Sequence, residues 1–208
     1  MFGPSFAKKV ADEINKIRAD PQAYSQKIND YIKYFDGKIL RLPHESGIET
    51  QEGADAYKEA AEFLSKAPKL PELTVDPKLT EVAKDMAKEM SKFNDIDEMD
   101  GVDRKSIIKK YGHYDGSLGE STDFGSVTPV LACVNLIVDD GNEERNNRQL
   151  MFREDFKVMG VACVPHDELG CITLIMYATD FSEGEGKASD DEEEGKKEDE
   201  KKEEEKKE

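Results

Sequence analysis

The sequence predicts an α+β fold: a three-layer α-β-α sandwich with a central antiparallel sheet. Three observations carry this. Apolar stripes at three- and four-residue spacing dominate the first half of the chain. Two β-rich runs separated by a turn close it, at residues 157–164 and 171–181. Helices that come first and strands that come late argue against a parallel α/β sheet, and a sheet covered on both faces would bury every stripe.

The elements follow in order. Phe6, Val10, Ile14 and Ile17 make one helical face. Asp20-Pro21 ends that helix and starts the next, because proline suits a first helical turn. Tyr24, Ile28, Tyr31, Ile32 and Phe35 line the second helix, with Gly37 as its stop. Residues 38–52 read as a loop. A third helix is expected over 54–66, with Ala60, Ala61, Phe63 and Leu64 facing inward, and Pro68 and Pro71 mark the connection. Asp76 is a natural N-cap and Pro77 a natural first residue for a fourth helix. Its buried side includes Leu79, Val82, Met86 and Met90, the methionines serving as core filler.

Residues 94–103 read as an acidic loop, 105–111 as a short helix stopped by Gly112, and 119–125 as a first strand. A strongly apolar helix is expected over 129–138, closed by Asp139-Asp140-Gly141 with the glycine at the C-cap. Residues 145–152 suggest a helical turn. The last two strands form a hairpin around Pro-His-Asp-Glu-Leu-Gly. No internal repeat is apparent.

Composition changes abruptly after Phe181. The division expected is one domain over 1–181 and a disordered acidic, Lys-rich tail over 182–208. That tail holds 14 Asp or Glu and 7 Lys and no large apolar residue, so burial cannot offset its ordering entropy. Glu192 with Lys196 and Glu198 with Lys202 support transient helix at most. The tail reads as a solubilising segment, or as an electrostatic docking arm for a basic partner.

Charge and motifs exclude several functions. The 208 residues carry a formal net charge of −17. Such a surface repels nucleic acid and anionic membranes. No run of about 18 apolar residues exists to form a transmembrane segment. The N-terminus lacks the apolar core of a signal peptide, and no lipidation signal is visible, so a cytoplasmic or cytoskeleton-associated location is expected. Cys133, Cys163 and Cys171 are too few for a disulfide framework. They read as buried thiols of a reducing compartment, although Cys163 and Cys171 flank a turn and a bridge between them stays open. There is no Walker A motif, no dinucleotide fingerprint and no G-x-S-x-G elbow. The acidic run Asp95, Asp97, Glu98, Asp100, Asp103 lacks the EF-hand order and reads as solvated.

Several short patterns occur in a recognisable order. Asn15, Arg18 and Pro21 are spaced as N-x-x-R-x-x-P. Thr50-Gln51-Glu52-Gly53-Ala54 precedes a helix, and Leu73, Asp76, Leu79 and Ala83 follow as L-x-x-D-x-x-L-x-x-x-A. Tyr111-Gly112 leads to Gly119-Glu120, then come Asp139-Asp140-Gly141, Arg145, Arg148, Phe156, Gly160-Val161-Ala162 and His166. From about residue 8 to 181 the chain resembles the CAP superfamily of cysteine-rich secretory, antigen 5 and pathogenesis-related-1 proteins, in its intracellular or bacterial-like branch.

The resemblance implies a cleft in which two histidines and neighbouring glutamates hold a metal in many members. Here the first histidine position falls near Ile96, and the second, in the family's Arg-Gly-His-Arg, is Asn147. Glu120 matches the family's glutamate, while Ser121 replaces the usual asparagine beside it. One carboxylate without imidazoles is a poor zinc site, and a neutral amide is not a useful ligand. No metal or cofactor is therefore expected. The cleft implied is Glu120, Ser121, Asn147 and Arg148.

Three functions compete. The first is a non-enzymatic binding or scaffolding domain, since family members are reported to bind proteins, sterols or lipids. The second is a hydrolase using Glu120 with His113 as base, which requires the two groups to approach in space. The third is a structural component of a cytoskeletal or ciliary assembly. His44 reads as an exposed loop residue and His166 as a turn or packing residue. The oligomeric state is not legible.

Overall fold

The structure, a computed structural model, describes residues 3–43 and 47–184. His44 and the segment after Gly184, with the expectations attached to them, lie outside the described residues. In chain order the elements are α1 (Pro4–Ala19), α2 (Pro21–Ile32), β1 (Phe35–Asp36), β2 (Ile39–Leu40), β3 (Ile48–Glu49), α3 (Ala54–Lys66), β4 (Thr74–Val75) and α4 (Pro77–Met90). There follow α5 (Ile96–Met99), α6 (Arg104–Tyr111), β5 (His113–Phe124), α7 (Pro129–Val138), α8 (Asn146–Met151), β6 (Val158–His166) and β7 (Gly170–Ser182).

The main sheet runs β4-β6-β7-β5. β7 pairs antiparallel with both neighbours, with Tyr177 opposite Met159 on one side and Gly119 on the other. The two-residue β4 lies parallel to β6, so the sheet is mixed rather than wholly antiparallel. The chain needs only two residues there to satisfy the edge before it turns into α4. Asp76 N–H then donates to Met159 O at 2.8 Å, and the Asp76 carboxylate caps α4 through Leu79 N–H at 2.7 Å.

Strand alternation sorts the core into two layers. Met159, Val161, Cys163, Ile175 and Tyr177 pack with α1, α2, α3 and α7. Ala162, Val164, Ile172, Leu174, Met176 and Ala178 pack with α4, α5 and α6. Covered on both faces, β7 is buried without alternation from Cys171 to Ala178, and apolar throughout that run except for Thr173. The three-layer α-β-α arrangement follows. Gly160 shows how closely the layers meet: a Cβ there would stand 2.2 Å from the Leu79 backbone.

Four local expectations change. The loop over 38–52 contains a small sheet, β1-β2-β3, anchored by Thr50 N–H to Lys38 O at 2.9 Å. The acidic loop holds the single turn α5, which Asp95 caps through Asp97 N–H at 3.0 Å. β5 begins at His113, six residues earlier than the apolar pattern suggests, because an irregularity between Asp115 and Leu118 breaks the alternation. At the end of α7 the left-handed C-cap is Asp139 (φ 53°), not Gly141.

Candidate functional site

The R-N-N-R segment, Arg145 to Arg148, forms a knot between the end of α7 and the start of α3. Asp139 accepts from the Asn147 backbone N–H at 2.8 Å and from the Asn147 side-chain amide at 2.8 Å. Asp140 accepts from Gln51 N–H at 2.6 Å and Glu52 N–H at 2.9 Å, just ahead of α3. Arg145 adopts a left-handed backbone (φ 51°) and lays its guanidinium across Glu52, at 2.6 and 2.7 Å, and Glu59, at 2.9 and 2.7 Å. The Arg145 guanidinium, helped by the Gly141 N–H, holds the Glu52 carboxyl down to about 2.

Arg148 is buried. It donates to Ile137 O at 2.6 Å and Val138 O at 3.1 Å, two of the last carbonyls of α7, and to Glu59 at 2.8 Å. A cation at a helix C-terminus satisfies orphan carbonyls and complements the dipole. These donors and acceptors are thus engaged in holding backbone, not pointed at a vacant space.

Glu120 has a different surrounding. It stands opposite Met176 and so faces the α4–α6 layer. There Arg104 of α6 grips both its oxygens, Nε to Oε2 at 2.9 Å and Nη2 to Oε1 at 3.0 Å. Arg104 also donates to Met99 O at 3.3 Å and Asp100 O at 3.2 Å, which ties α5 to α6. Ser121, one residue on, stands opposite Ile175 and faces the other layer. It is buried, and neither its hydroxyl nor the neighbouring buried Tyr177 hydroxyl or Arg18 Nη2 has a hydrogen-bond partner among the described residues.

The four residues expected to share a cleft are therefore divided by the sheet. Ser121, Asn147 and Arg148 belong to the α1–α7 side, where α8 packs through Met151 and Leu150, and Glu120 belongs to the other. His113 does not reach Glu120. They stand seven positions apart along β5, roughly 23 Å at ~3.3 Å per residue, and His113 Nδ1 sits 3.2 Å from Gly184 O. His166 is buried in the hairpin turn, donating through Nε2 to Phe93 O at 2.7 Å and accepting at Nδ1 from Glu168 and Leu169 N–H. Ile96 is 47% exposed on α5. All three cysteines are free buried thiols.

The metal implied by the resemblance does not fit these residues. Asn147 offers an amide already held by Asp139, and Glu120 is matched by a guanidinium on the opposite face. Among the described residues no group of three or more His, Cys, Asp or Glu is placed to hold a metal ion.

Sequence reasoning passed over Arg104, Glu52, Glu59 and Asp139 as partners. Their contacts span 8 to 93 residues, beyond any local pattern. It also gave no sign of the concave surface beside the knot, about 610 Å³, lined by Phe63, Leu150 and Phe152 with the amides of Asn146 and Gln149. Phe63 and Phe152 meet edge to face there, centroids 5.2 Å apart.

A family model described as CAP, cysteine-rich secretory protein family, covers residues 11–177. No curated protein matches the chain.

Proposed function

Because this chain belongs to the CAP, or cysteine-rich secretory protein, family, we propose that it is a non-enzymatic binding domain whose partner is a protein. The supporting observation is the Arg104–Glu120 pair on the sheet face opposite Asn147. A carboxylate held by both oxygens in a guanidinium fork has its lone pairs engaged and is a poor base, nucleophile or metal ligand. The second ligand position is a neutral amide hydrogen-bonded to Asp139.

The surface offered to a partner is the concavity between the end of α3 and α8. Its apolar floor of Phe63, Leu150 and Phe152 is flanked by amide side chains able to pair with peptide groups. It opens to solvent. That favours a peptide or protein over a sterol, which is bound in sites that enclose most of its area.

Two measurements test this reading. Calorimetric titration of the full chain with zinc is expected to give no binding up to ~100 μM. Micromolar binding lost in Glu120→Ala would restore the metal-dependent alternative. In extract pull-downs, Phe152→Asp and Gln149→Arg are expected to lose a partner that the unaltered chain retains. Retention by both would place the interface elsewhere.

A further inference from the structure

Three polar groups on one side of the main sheet are buried without a bond to make. Arg18 of α1 and Tyr177 of β7 are wholly buried, and Ser121 of β5 is 1% exposed. Arg18 Nη2, Ser121 Oγ and Tyr177 OH have no hydrogen-bond partner among the described residues. A buried donor left unmet is costly, and more so on a charged group. Three of them at one place point to an occupant that meets them.

The strand register brings them together. Gly119 lies opposite Tyr177 and Ser121 opposite Ile175, so Ser121 and Tyr177 are diagonal neighbours on the face that α1 covers. Arg18 arrives from the end of α1. Its other nitrogens are engaged: Nε donates to Pro71 O at 3.0 Å, and Nη1 donates to Met151 O at 2.6 Å and Arg153 O at 3.2 Å. Ser121 and Arg18 both favour the ionised form of the Tyr177 phenol, which puts them beside its oxygen. Burial outweighs them and holds the phenol protonated, so it stands there as a donor.

Charge and size select the occupant. The hydrogen bonds of Arg18 go to carbonyls and not to a carboxylate. Burial pulls its pKa down, as befits a cation without an opposite charge. The acid on the same face of β5 is Asp123, two residues past Ser121, and it accepts from Asn135 at 2.9 Å and Ser126 at 3.0 Å instead. A water molecule meets the donors but leaves the charge unpaired. A polyatomic anion is too large. Gly119 is so closely covered that even a Cβ would stand 2.6 Å from Leu150 Cδ2 and 3.1 Å from Phe156 Cζ. The Phe156 ring is stacked on Tyr177, centroids 5.7 Å apart.

We propose that Arg18 Nη2, Ser121 Oγ and Tyr177 OH form a buried site for a single-atom anion, a halide, with chloride as the occupant. The ion supplies the negative charge that the guanidinium lacks and accepts from both hydroxyls. It ties α1, β5 and β7 together at the point where Arg18 already holds the end of α8. Because only the folded chain assembles the three donors, chloride binding adds to the stability of the fold.

Thermal unfolding of the full chain tests this, with sodium chloride exchanged for sodium gluconate at constant ionic strength. Raising chloride from about 1 to about 100 mM is expected to raise Tm by at least 3 °C or so, the shift for an ion bound with millimolar affinity, and bromide should act alike. Ser121→Ala and Tyr177→Phe each remove one donor and little bulk. Each should move the chloride concentration of half-effect upward at least five-fold. A hydroxyl that is merely unmet behaves differently: its removal stabilises the chain at every chloride concentration and leaves the chloride response as it was. That result, or a Tm indifferent to chloride, would overturn the proposal. A second readout locates the ion. In crystals of the full chain grown with sodium bromide, an anomalous peak is expected in contact with Arg18 Nη2, Ser121 Oγ and Tyr177 OH. A water at that position, or bromide found only on the surface, would equally sink it.

Discussion

Asp123 is a carboxyl that the fold keeps at a disadvantage. Oδ1 accepts from Asn135 at 2.9 Å and Ser126 at 3.0 Å, but Oδ2 is buried with no partner among the described residues. Burial outweighs those hydrogen bonds and pushes its pKa from 3.8 up to about 6. A carboxyl raised in the folded state favours folding while protonated. Its contribution is therefore fully present below pH 3.8 and lost as pH rises through 6. A shift of this size corresponds to about 3 kcal/mol at most. Asp123→Asn should then gain about 1–2 kcal/mol over the unaltered chain at pH 7 and lose that advantage at pH 4, by urea denaturation. An advantage that grows as pH falls would contradict the assignment. Asn147 supports a second prediction at this scale. Asn147→His supplies the family's imidazole, yet the side chain would inherit Asp139 as neighbour and the sheet would still divide it from Glu120. The variant should bind no zinc with an affinity dependent on Glu120. Zinc binding by Asn147→His that Glu120→Ala abolishes would mean that the two positions converge after all.

The knot at α7, α8 and α3 separates an element's needs from those of a charge. Arg148 gives α7 its C-terminal donors, and its ion pair with Glu59 is secondary because Glu59 is 49% exposed. Arg148→Ala leaves two carbonyls without partners and should cost about 3–5 kcal/mol. Glu59→Gln should cost less than about 1 kcal/mol. Thermal unfolding of the two variants checks this, and equal losses would shift the weight to the ion pair. The helices themselves were legible. Asp76-Pro77 and Pro129 fixed their starts, and α3 and α7 have the expected bounds. What local pattern cannot carry is a partner far away in sequence. Arg104 lies 16 residues before Glu120, and Glu52 lies 93 before Arg145. Nothing in a 3.6-residue period encodes either pairing. The three short strands over 35–49 were invisible for a similar reason, since two-residue strands are too brief to alternate.

At the scale of the molecule, β7 is the seam on which both layers depend. It pairs with β5 on one side and β6 on the other. Its apolar run announced burial on both faces, hence a sandwich. The same run does not tell which neighbour faces which layer, and the grouping of Glu120 with Asn147 in one cleft comes from the family resemblance, which carries no register either. Ile175 and Met176 make the point testable. They are consecutive and almost completely buried, Ile175 among the α1–α7 residues and Met176 among those of α4. Each substitution to Ala should cost about 2–5 kcal/mol. Because both layers are bolted to the same ladder, neither can dissolve while β7 stays paired, and neither can persist once it is lost. Hydrogen exchange should therefore show protection in α1 and α4 falling together, and by equal amounts, in Ile175→Ala and again in Met176→Ala. A variant whose loss stays within its own layer would show two independently melting halves. The sheet would then be a partition between them rather than their common support.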